Sequence, residues 1–104
     1  MKGVYIIADH MLSALGIDSG EHYERLCRGE SGIRNHESWA GRPGPFCIAA
    51  VSEEQLDKAR SRFGIPAKYT RFESFLLLSM RAAIEQSGLD PADPGVIAIL
   101  SSTK

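Results

Sequence analysis

"RFESFLLLSMRAAIEQSGLD", residues 71–90, is the stretch on which the fold turns. Thr70 ahead of it and Glu73 inside it make a capping box. Gly88 stands at a helix stop, with Pro91 beyond. Between them lie Phe72, Phe75, Leu76, Leu77, Leu78, Met80, Ala82, Ala83 and Ile84. At helical spacing these positions run nearly all the way round, and in the middle only Ser79 and Arg81 interrupt them. A surface helix shows one apolar stripe, whereas a helix apolar on every side is buried. The pattern therefore predicts a long helix enclosed from several directions.

Working outward, residues 95–100 ("GVIAIL") and 3–8 ("GVYIIA") are apolar runs that do not alternate, as in strands covered on both faces. Residues 46–51 ("FCIAAV") predict a shorter strand. Residues 52–64 ("SEEQLDKARSRFG") predict a surface helix, with a Ser52/Gln55 capping box and Arg60 and Arg62 in its last turn. Its apolar face is Leu56, Ala59 and Phe63. Asp18 or Ser19 caps a first helix over residues 21–29, with Tyr23, Leu26 and Cys27 on one face. Residues 30–45 show no periodicity and include three glycines and two prolines, which predicts a loop. Strand, helices and strand in this order predict an α/β fold with a parallel β–α–β core, right-handed by the usual rule. Two modest helices and one loop supply too little cover for these apolar elements. The expectation is therefore a piece of a larger protein, or a homo- or hetero-oligomer.

Composition narrows the function classes. A chain of 104 residues is one domain at most. Twelve basic and 13 acidic residues, with no basic run, argue against nucleic acid and anionic membrane surfaces. No stretch approaches the ~20 apolar residues of a membrane span, and the N-terminus lacks the pattern of a secretory signal. The expectation is a cytoplasmic protein, with Cys27 and Cys47 reduced. Neither cysteine has metal-ligand spacing.

"MLSALG" (residues 11–16), with "GESGI" (residues 29–33), resembles the opening of the β-ketoacyl-acyl carrier protein synthases, condensing enzymes of the thiolase-like superfamily. That opening reads as a strand, a "TGxGM[VL]S[PA]xG" turn and a helix ending "L..G.SGI". Met11, Leu12, Ser13, Ala14, Leu15 and Gly16 match the turn; Gly29, Ser31, Gly32 and Ile33 match the helix end. "FLLLSMRAAIEQSGLD" resembles the family's "A..AA..AL.DAGL" helix, which precedes a "GVIIGSG" strand. The resemblance runs along the whole chain in order and is weakest in residues 34–66. Ala8 and His10 stand where the family has glycines, and "LSSTK" replaces its glycine-rich strand end, which marks a divergent member.

The resemblance implies the N-terminal part of a thiolase-like fold. In the complete enzyme it implies decarboxylative condensation of a malonyl thioester with a cysteine-bound acyl group, in fatty acid or polyketide synthesis. Acyl carrier protein and acyl thioesters would be the partners. The family's nucleophilic cysteine and later histidines match nothing in residues 1–104. This chain alone is therefore expected to be inactive, with no catalytic, cofactor-binding or metal site. The alternatives are a small α/β association module and a non-catalytic ketosynthase-like subunit.

Other residues invite a chemical reading. Cys27 sits on the expected apolar helix face and Cys47 in an apolar strand, where a thiol behaves as a small hydrophobe. His10, His22 and His36 are 12 and 14 residues apart, not at ligand-pair spacing. His10, at a strand end, is the one in a typical functional position. Lys104, after "SST", lacks the glycines of a phosphate loop. Arg71 and Glu73 are placed to pair across an interface, although Glu73 is needed for the cap.

Overall fold

The computed structural model describes residues 2–102. In chain order it contains α1 (Ser19–Cys27), β1 (Arg34–Trp39), β2 (Arg42–Ile48), α2 (Glu53–Phe63) and α3 (Arg71–Ser87). The helix ends follow local chemistry. Asp18 caps α1 by accepting from the Glu21 N–H, and both α2 and α3 begin on complete capping boxes, Ser52/Gln55 and Thr70/Glu73. Gly64 and Gly88 close α2 and α3 at φ of 67° and 70°, a left-handed conformation that glycine adopts without a Cβ clash.

The expected parallel β–α–β core of a thiolase-like α/β fold is overturned. The sheet formed by the described residues has two strands, β1 and β2, and they are antiparallel. Residues 30–45, expected to be a loop, hold β1 and most of the hairpin. Trp39 pairs with Arg42, so Ala40 and Gly41 alone make the turn, at φ of 51° and 76°. Two successive positive φ values are those of a type I′ turn, whose twist matches that of the flanking strands. The register shifts between His36 and Ser38, opposite Gly44 and Pro45.

The two outer apolar runs, residues 3–8 and 95–100, form no strand. Val4 and Ile6 are more than nine-tenths exposed, and Ile97 and Ile99 more than eight-tenths. An apolar run becomes a strand only when another strand takes up its N–H and C=O groups. Neither run has such a ladder here.

The core lies between α2 and α3. Ile17, Leu56, Ala59, Phe63, Leu78 and Ala82 form one buried cluster, flanked by Leu12, Val51, Ile65 and Phe75. The long helix is not enclosed on all sides. It buries one strip, Ser74, Leu78 and Ala82, at spacings of four residues. Phe75, Leu76, Leu77, Met80, Ala83 and Ile84 are half-buried, and Phe72 is exposed. Ser74 belongs to that strip because the Arg60 guanidinium donates to its Oγ from α2, at 3.3 and 3.1 Å. At the other end of α2, Arg71 pairs with Glu53 and the Val51 carbonyl.

The face expected for α1 is also corrected. Tyr23, Leu26 and Cys27 are exposed, and the helix buries His22 instead. The radius of gyration is 16.4 Å, against about 13 Å for a compact chain of this length. Hairpin and helix pair are each internally packed, and no extensive contact joins one to the other. No helix among the described residues is long and apolar enough to cross a membrane.

Candidate functional site

A dense set of hydrogen bonds surrounds the turn at residues 13–17. The turn closes on itself: the Ser13 N–H donates to the Gly16 carbonyl and the Gly16 N–H to the Ser13 carbonyl. Its other carbonyls are taken by side chains from two helices and from the segment before the turn. Gln55 Nε2 of α2 donates to the Ala14 carbonyl, and Arg25 of α1 donates to that of Leu15. His10 Nε2 lies 2.9 Å from the Ile17 carbonyl. The Ile17 N–H donates to Glu21. Gly32 presses on the same turn: a Cβ there would meet the Leu15 nitrogen at 2.9 Å and the Ala14 carbonyl carbon at 3.0 Å. That distance explains glycine at position 32.

Two histidines anchor this unit. His22, 7% exposed, has Nδ1 2.6 Å from the Asp18 carbonyl and Nε2 2.6 Å from Ser13 Oγ. A carbonyl only accepts, so Nδ1 carries the proton. In the neutral ring Nε2 then accepts from the Ser13 hydroxyl. His10 repeats the pattern, with Nε2 on the Ile17 carbonyl and Nδ1 2.9 Å from Ser79 Oγ of α3. Its ring also meets Phe63 edge-on at 5.7 Å. Beside it opens a cavity of about 530 Å³, lined by His10, Asp18, Ser19, Arg62, Phe63 and Gln86.

Asp18 joins the helix start to α2. Its carboxyl lies below the usual value, first because it accepts from the Glu21 N–H and then because Arg62 bonds to it. A depressed folded-state value stabilises the fold above the unfolded value of about 4. That contribution is lost as pH falls through the folded value. Asp18→Asn keeps a capping side chain and removes the charge. The wild type should be the more stable of the two above about pH 4, with the gap closing on further acidification. Urea melts of both proteins across that range measure it; a gap that does not change with pH would contradict the assignment.

The other residues singled out from sequence disperse. Cys27, the last residue of α1, and Cys47 of β2 are both free and exposed, so neither is the packed hydrophobe expected. His36 meets Trp39 edge-on at 5.1 Å within the hairpin, apart from His10 and His22. Glu73 caps α3 by accepting from the Thr70 N–H. Arg71 pairs with Glu53 of α2 at the exposed surface. Lys104 lies outside the described residues. Among those residues no group of three or more His, Cys, Asp or Glu side chains is arranged to hold a metal ion. Nothing in the local sequence marks Ser13 or Arg62 as a site residue. Their roles depend on α1 starting at Asp18, which places His22 one turn along and directs it back onto the turn before the helix.

No protein-family model, no curated protein and no solved structure matches this chain.

Proposed function

We propose that this chain is the N-terminal part of a β-ketoacyl synthase-like acyltransferase, and that it serves as scaffold in the cytoplasm. The observation that carries this reading is the packing of "MLSALG" against "GESGI". These are the two stretches through which the chain resembles that family, and Gly32 of the second seats on Ala14 and Leu15 of the first. Side chains from α1 and α2 lock the turn, as befits a support for a site built elsewhere. The complete enzyme would condense a malonyl thioester, held on an acyl carrier protein, with an acyl group on a cysteine.

Coding sequence downstream of Lys104 tests the proposal. A cysteine at a strand-to-helix turn, followed by two histidines or a histidine and an asparagine, is expected; their absence would point to a non-catalytic relative or to no relation. The 104 residues alone should release no carbon dioxide from a malonyl thioester, and turnover by them would contradict a purely supporting role.

A second reading is a module that works by association. The exposed apolar runs at residues 4–7 and 97–100 favour it, since such surfaces mark interaction sites.

A further inference from the structure

Ser13, His22 and the Asp18 carbonyl stand in the order nucleophile, base and orienting group. The Ser13 hydroxyl donates to His22 Nε2 at 2.6 Å, and the Asp18 carbonyl holds Nδ1–H at 2.6 Å. This fixes the tautomer whose free nitrogen faces the hydroxyl, the requirement for general-base activation of serine. The Leu15 N–H donates to Ser13 Oγ at 3.1 Å, which holds the oxygen in place and leaves its proton for the imidazole.

The backbone supplies the second observation. Across residues 13–17 every N–H and C=O is hydrogen-bonded within the described residues, with one exception, the Ala14 N–H. The N–H of the residue after a nucleophilic serine is a standard oxyanion donor on sharp turns. Here it is the donor left open. Ser79 and His10 share the hydroxyl–imidazole–carbonyl pattern, but their contact is longer, 2.9 Å, and Ser79 lies within α3.

We propose that Ser13 is a nucleophile activated by His22, and that it accepts the acyl group of an activated ester. Oγ attacks the acyl carbon while its proton passes to His22 Nε2. The ester C–O bond then breaks and the alkoxide or phenoxide leaves. The imidazolium returns its proton to the leaving group or to water, and the acyl group stays on Ser13. This assignment does not depend on the condensing-enzyme reading.

The probe is p-nitrophenyl acetate with the full chain, followed by released nitrophenolate and peptide mass spectrometry. An acetyl adduct on Ser13 is expected, absent from Ser13→Ala and formed on Ser13 in preference to Ser79. General-base assistance is worth at least about 100-fold, so His22→Gln should slow acetylation by that order. No adduct at Ser13, or one formed as fast in His22→Gln, would overturn the proposal. If circular dichroism shows His22→Gln unfolded, Ser13→Cys decides. The introduced thiol should react with iodoacetamide faster than the exposed Cys27 and Cys47 in the same molecule. An equal or slower rate would overturn the assignment.

Discussion

Leu78→Ala should destabilise the chain by about 2–5 kcal/mol, whereas Leu77→Ala, one position away, should cost clearly less. Leu78 is fully buried and shares its cluster with Leu56 of α2, which is also fully buried. Truncating it removes three carbon atoms and leaves a cavity between two helices held by a cluster of only six buried residues. A domain of this length has about 5–15 kcal/mol to lose. With so small a core, the Leu78→Ala chain should sit close to its unfolding midpoint before any denaturant is added. Leu77 is half-buried and lines an open groove with Ile65, Met80, Ile84 and Pro91, so water already reaches part of it. Urea unfolding followed by far-ultraviolet circular dichroism gives both values. Equal losses at the two positions would mean that α3 is enclosed on every side, as its apolar periodicity alone suggests.

The contrast between those neighbours shows where sequence reasoning reaches. The three helices were legible because their signals are local. Asp18, Ser52 and Thr70 each bond an N–H three residues on, and Gly64 and Gly88 each need only their own φ. The face of α2 was legible too, because Leu56, Ala59 and Phe63 are its only apolar stripe. In α3 the apolar residues outnumber the space against α2. Which of them are buried depends on the partner helix, and Arg60 places Ser74 in the buried strip ahead of Phe72 or Phe75.

Strands are the harder case, since a ladder is made between segments distant in sequence. Residues 3–8 and 95–100 carry the apolar composition of strands without a partner. Residues 34–48 carry glycine, proline and charge, yet pair with each other through a two-residue turn. Ala40 hid that turn, because a left-handed residue before Gly41 is ordinarily Asn, Asp or Gly. At the site, His10 drew attention as the end of a strand over residues 3–8 that does not form, so its contacts with Ile17 and Ser79 were not the reason it stood out. His22 was not legible, because its meaning lies in Ser13, nine residues back and across a helix start.

Ile6→Lys combined with Ile99→Lys should shift the chain from associated to monomeric in sedimentation velocity and sharply reduce its binding of a hydrophobic dye. Val4, Ile6, Ile97 and Ile99 are among the most exposed large apolar side chains of the described residues. Full burial of each is worth about 1.5–3 kcal/mol, so covering all four contributes about 6–12 kcal/mol. Association itself costs about 4–15 kcal/mol. The four alone leave the balance near zero, and covering Tyr5, Ile7 and Leu100 as well, all more than half exposed, tips it toward association. Two lysines remove two of the largest contributions and add charge that must stay hydrated. Both positions lie outside the α2–α3 core, so the helical circular dichroism signal and its urea midpoint should hold. A wild-type chain that sediments as a monomer at high concentration, with no dye binding, would show these runs covered within a single molecule. Loss of the helical signal in the double variant would show instead that the runs pack against α3, where Tyr5, Ile7, Ala83 and Ile84 already share a groove.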